Sequence, residues 1–130
     1  MRTFALLALV GTNMAVAADS TGERLAYLVG CINCHHQTPK EIMPAPPLAV
    51  VNGYTLPEFR VLMKSGVARS GRNLVAVSSV MGIVAQEQFS YLTDAEVAAL
   101  YDFLHEQWTP ARAAEEEAKI PQLYKARPET

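Results

Sequence analysis

Residues 25–36 run Leu-Ala-Tyr-Leu-Val-Gly-Cys-Ile-Asn-Cys-His-His, and the rest of the chain is arranged around them. Leu25, Leu28 and Val29 recur at helical spacing with Tyr27 beside them. The spacing predicts a helix from a cap at Asp19 or Ser20 to about Cys31. Directly behind it stand the chain's two cysteines, followed by a histidine pair.

Cys31-Ile32-Asn33-Cys34-His35 is a C-x-x-C-H motif, the attachment signature of c-type haem. Two thiols at this separation can add to the two vinyl groups on one edge of a porphyrin. The next residue then aims its imidazole at the iron. Covalent attachment retains the cofactor in a domain too small to enclose it by packing alone. Two other uses of these residues compete. A thiol redox pair would call for a βαβ pattern, which the sequence lacks. A zinc site from Cys31, Cys34, His35 and His36 would need adjacent histidines on one tetrahedral ion, with no second cysteine pair to help.

Downstream of the motif, residues 37–53 hold Pro39, Pro44, Pro46 and Pro47 and are expected to be loop. Thr55 and Glu58 make a capping box around Pro57, opening a helix with Phe59, Leu62 and Met63 on its apolar face and Gly66 as its stop. Residues 65–79 are expected to be loop and residues 80–88 a short helix. A second capping box, Thr93 and Glu96, opens the strongest helix. Its stripe is Val97, Leu100, Tyr101, Leu104 and Trp108, with Phe103 at the border. Thr109-Pro110 can restart a helix through residues 111–119, and Pro121 and Pro128 predict a loose tail. No repeat and no strand pair is evident, so the fold class expected is all-α.

The chain has 130 residues, enough for one domain, and half are hydrophobic, which excludes a disordered protein. Arg2, the apolar run Phe4–Val10 and Ala15-Val16-Ala17 have the layout of a secretory signal peptide over residues 1–17, cleaved near Ala17 or Ala18. The apolar run is too short for a membrane span, and no other segment is long enough. Leu28-Val29-Gly30-Cys31 also fits a lipoprotein box, but Glu23 and Arg24 stand where that box needs an apolar core. Loss of Arg2 leaves ten basic against thirteen acidic residues, a net charge of −3. That balance, with no basic stripe, excludes a general nucleic-acid binder. A periplasmic location is expected.

From the motif outward the chain resembles class I c-type cytochromes, and the resemblance covers most of residues 19–108, leaving residues 109–130 as a C-terminal extension. The position of the motif behind the first helix, Tyr27 before it, and the set Leu100, Phe103, Leu104 on the last helix carry the likeness. The resemblance implies a small cytochrome c-like fold, with helices packed around one covalently bound haem and its iron. It implies that a proline carbonyl accepts a hydrogen bond from His35, with Pro47 in that place and Pro46 as the near alternative. It also implies a methionine on the other face of the iron. Met43 follows His35 too closely to reach around the porphyrin, and Met63 lies on an apolar helix face. Met81, ahead of the last helix, fits the family's order, although Gly82 stands where proline is common. His36 is bound to point away from the iron its neighbour holds, and His105 belongs to a surface helix.

The function implied is a one-electron carrier, not an enzyme, working between a redox protein donor and acceptor, such as a dehydrogenase or terminal oxidase. The alternatives are a five-coordinate haem protein that binds a gas or peroxide, and a haem-bearing subunit of a larger complex. Arg60, Lys64, Arg69 and Arg72 occur between residues 59 and 86 without a single carboxylate, so they are expected to form a basic docking face.

Overall fold

A computed structural model describes residues 14–125, with side chains from residue 21 to residue 121. Among these the chain is mostly helical, with five α-helices: α1 Met14–Leu28, α2 Leu56–Ser65, α3 Val80–Glu87, α4 Asp94–Gln107 and α5 Pro110–Lys125. The described residues contain no strand, only a single antiparallel bridge between Val67 and Asn73. No described helix is long and apolar enough to cross a membrane. Residues 1–13, most of the expected leader, lie outside the described residues.

The first and fourth helices form the frame. At Gly22 the two backbones meet so closely that a Cβ would sit 2.2 Å from the Ala99 carbonyl oxygen. Ala26 is buried on the same side of α1. From α4 the side chains of Val97, Leu100, Phe103 and Leu104 enter the core, and Trp108, at its C-terminal cap, is fully buried. Phe103 therefore lies inside the stripe rather than at its border. Tyr27 is 45% exposed, so the aromatic expected to pack on the last helix does not, and Ala26 takes the inward position.

Both capping boxes form. Thr55 Oγ1 accepts from the Glu58 N–H and Glu58 accepts from the Thr55 N–H, and Thr93 and Glu96 repeat the arrangement. α2 ends at Gly66, whose φ of 67° is left-handed, as expected of a C-terminal glycine. Met63 on α2 is buried in the core, which accounts for it as a packing residue. At Gly82 a Cβ would come within 2.3 to 2.5 Å of the backbone of Leu74 and Val75. The helix that carries Met81 is thus seated against the preceding loop by backbone contact, which any side chain at 82 would block.

Three expectations are corrected. α1 begins at Met14, upstream of the Asp19–Ser20 cap, because the alanine-rich run before it favours helix, and it ends at Leu28, where Gly30 (φ 88°) turns the chain. The segment expected to be all loop contains a 3-10 helix, Leu48–Gly53, started after Pro47. The tail is not loose up to Pro121. α5 continues through that proline and packs on residues 33–37 and on the 3-10 helix.

Candidate functional site

After Gly30 the backbone coils again. Cys31 and Ile32 begin a turn that passes into a π-helical stretch, Asn33–Gln37, and the Cys34 N–H donates to the Gly30 carbonyl. Turns of the π type are rare and concentrate at functional positions. In this coil Cys31, Cys34 and His35 stand at i, i+3 and i+4, a spacing that brings side chains near one another on a helix. Ile32 and His36, also four apart, are both fully buried, Cys31 is buried beside Ile32 in the core cluster, and Cys34 and His35 are half-buried. The motif is thus sunk into the core, with Cys34 and His35 at its partly open edge.

His35 is half-buried, and its Nδ1 lies 2.6 Å from the carbonyl oxygen of Pro46. The acceptor is therefore Pro46 and not Pro47. Pro47 instead precedes the 3-10 helix as its N-terminal cap residue, with its backbone turned for that start. With Nδ1 donating, Nε2 is the nitrogen left unprotonated, and burial lowers the imidazole's pKa, favouring the neutral ring. Both cysteines are free thiols. Burial pushes the Cys31 thiol up to about 12.

His36 serves the fold. Its Nε2 accepts from the Leu48 N–H and from Trp108 Nε1–H, both at 2.8 Å, so it caps the 3-10 helix and ties the motif to the end of α4. Those bonds require Nε2 to be unprotonated and place the ring hydrogen on Nδ1. Burial, opposed by the nearby Glu117, brings the pKa down to about 4, so the ring is neutral at pH 7. Arg112 of α5 lies 4.5 Å from the centre of the Trp108 ring and closes this side. Nothing in the sequence marked His36 as structural beyond its place next to His35; the signal was Trp108 at the end of an apolar stripe, a buried indole that needs an acceptor. Trp108→Phe is expected to lower the unfolding free energy by about 2–3 kcal/mol in urea titration, from lost volume and a lost bond to His36. A drop under about 0.5 kcal/mol would show that the bond contributes nothing.

Met81 is the second residue of α3, half-buried and packed against the core cluster. α3 itself rests on α2. Met43 lies in the proline loop, and His105 is an exposed residue stacked on Tyr101. Apolar side chains close to Met43 and Met81 in sequence stand uncovered: Ile42 is 65% exposed, Val77 51% and Val80 50%. Among the described residues no three His, Cys, Asp or Glu side chains gather to hold a bare metal ion.

The cations between residues 59 and 86 are mostly engaged. Arg60 Nε is 3.5 Å from Asp94, and Arg69 Nε is 3.8 Å from Glu58. Lys64 Nζ donates to the carbonyls of Ser90 and Leu92, fastening α2 to the turn before α4. The acidic partners lie outside the segment that looked free of carboxylates, which is why the sequence pattern overstated a basic face.

No family model matches the chain, and no curated protein or solved structure is significantly similar to it.

Proposed function

We propose that the protein is an exported one-electron carrier of the c-type cytochrome kind. The observation that carries this reading is the close i, i+3, i+4 spacing of Cys31, Cys34 and His35 in one coil, with the His35 ring fixed through Nδ1 to Pro46. The residues fit the group. Two unpaired thiols stand within four residues of His35, and Ile42, Val77 and Val80 are uncovered apolar side chains of the kind a large flat ring would cover. When bound, haem iron supplies a centre that gains and loses one electron.

The chain's own residues perform the rest. Cys31 and Cys34 hold the ring by thioether bonds. His35 presents Nε2 from a neutral ring, and Pro46 keeps that ring from turning. Met81 offers a thioether from the start of α3, and a soft sulfur favours the reduced state. The core cluster around Leu100, Phe103 and Leu104 excludes water from the side of the motif. If His35 and Met81 both ligate the iron, no site would remain for a substrate, and the task would be electron passage to and from larger redox proteins. The charged start, the apolar run and the small residues near Ala17 support export to the periplasm.

Absorption spectra of oxidised and reduced protein, repeated under carbon monoxide, test this directly. Expected are the sharp bands of a low-spin c-type haem and no response to carbon monoxide. Ready carbon monoxide binding by the unaltered protein would favour the gas-binding alternative. Absence of any haem spectrum from protein made in an exporting host competent for haem attachment would end the reading.

A further inference from the structure

The His35–Pro46 bond is only as fixed as the loop that carries Pro46, and both flanks of that proline are pinned. On one side Lys40 Nζ donates to the carbonyl of Ala45 at 2.7 Å and reaches the carbonyl of His35 at 3.5 Å. On the other side His36 Nε2 holds the N–H of Leu48. One residue meets both anchors: Glu117 of α5, whose Oε1 lies 3.3 Å from Lys40 Nζ and 3.7 Å from His36 Nδ1. That oxygen and His36 Nδ1 are both shielded from solvent, and neither has a well-directed hydrogen bond elsewhere among the described residues. A carboxylate oxygen in such a place is held there by the two groups it faces.

We propose that Glu117 is a positioning residue for His35, acting through Lys40 and His36, so that α5 is part of the electron-transfer site. The inference rests on the haem reading above. Its geometry is a clamp. Glu117 orients the ammonium that grips Ala45 and the imidazole that grips Leu48, and Pro46 between them is held at the distance His35 needs. An ordinary half-exposed ion pair between Lys40 and Glu117 would instead be worth little and would leave the ring untouched.

The test uses oxidised holoprotein, in which proton NMR resolves the strongly shifted haem methyl and axial histidine signals that report the orientation of the imidazole plane. Glu117→Ala and Lys40→Met are each expected to change the spread of those signals. The double variant should change it no more than the larger single effect, since both act through one clamp. Glu117→Gln, which keeps an acceptor for His36 but loses the charge facing Lys40, should fall between wild type and Glu117→Ala. Solvent exchange of the His35 Nδ1 proton should quicken roughly tenfold in Glu117→Ala, corresponding to about 1.4 kcal/mol of lost restraint. Signals and exchange identical to wild type in folded Glu117→Ala holoprotein would overturn the proposal, and so would additive shifts in the double variant. If Glu117→Ala yields no holoprotein, Glu117→Gln is judged by the same two criteria. A wild-type protein that carries no covalent haem overturns both readings, whereas haem-loaded variants indistinguishable from wild type overturn this one alone.

Discussion

Replacing Cys31 and Cys34 together by serine is expected to abolish all covalently bound haem, while each single replacement leaves one thioether in place. The thiols are both free and stand three residues apart just before His35, so on the haem reading each can form its own bond to the ring edge. Oxygen at the same position does not add to a vinyl group under these conditions, which makes the double change complete. Denaturing electrophoresis with a peroxidase stain for haem is the measurement: a band in wild type, a band in either single variant, none in the double. His35→Ala should abolish stable holoprotein as well, since it removes the proposed iron ligand and leaves the Pro46 carbonyl without its donor. Haem that stays with the double cysteine variant through denaturation would show that the motif has another use.

The second large effect is expected at Met81. Met81→Ala should open one face of the iron, let reduced protein bind carbon monoxide, and lower the potential by roughly 0.1–0.2 V, within the ~0.8 V that axial ligands span. Met43→Leu and Met63→Leu should do neither. Met63 is part of the buried core, so its replacement touches stability alone. Met43 lies in the proline loop a few residues from His35, on the same side of the chain's path. Because Met81 is the second residue of α3 and Gly82 seats that helix against Leu74 and Val75, its sulfur, as a proposed ligand, would be presented from a packed helix start rather than a free loop. Carbon monoxide binding equally fast in wild type and variant would show that Met81 is not a ligand.

Much of the helical frame was legible because it is written in local chemistry. Thr55 with Glu58 and Thr93 with Glu96 announce helix starts by side chains that bond their own backbone, and both boxes form. Gly66 announces a stop, and the apolar stripe of α4 announces its buried face. What was not legible depends on residues far apart in sequence. The docking of α5 comes from the meeting of Glu117 with Lys40 and His36, and of Arg112 with Trp108, none of which leaves a periodic trace. The engagement of Lys64 by carbonyls near residue 90 is of the same kind. The shift from Pro47 to Pro46 is a matter of a single residue in a run of prolines. Only the placement of the 3-10 helix, which uses Pro47 as its cap, decides which carbonyl turns toward His35.

The crossing at Gly22 and Ala99 also sets an order of events. It joins α1, just ahead of the motif, to α4, far along the chain, and in the finished fold Cys31 is buried, its thiol far from the reactive thiolate form. On the proposed haem reading, a group that bonds to that sulfur would have to arrive while the chain is still open. Closure of the first helix onto the fourth would then follow attachment, and a chain that closed too early would exclude the cofactor. Stabilising the crossing, which would help most proteins, would here favour that empty closed chain.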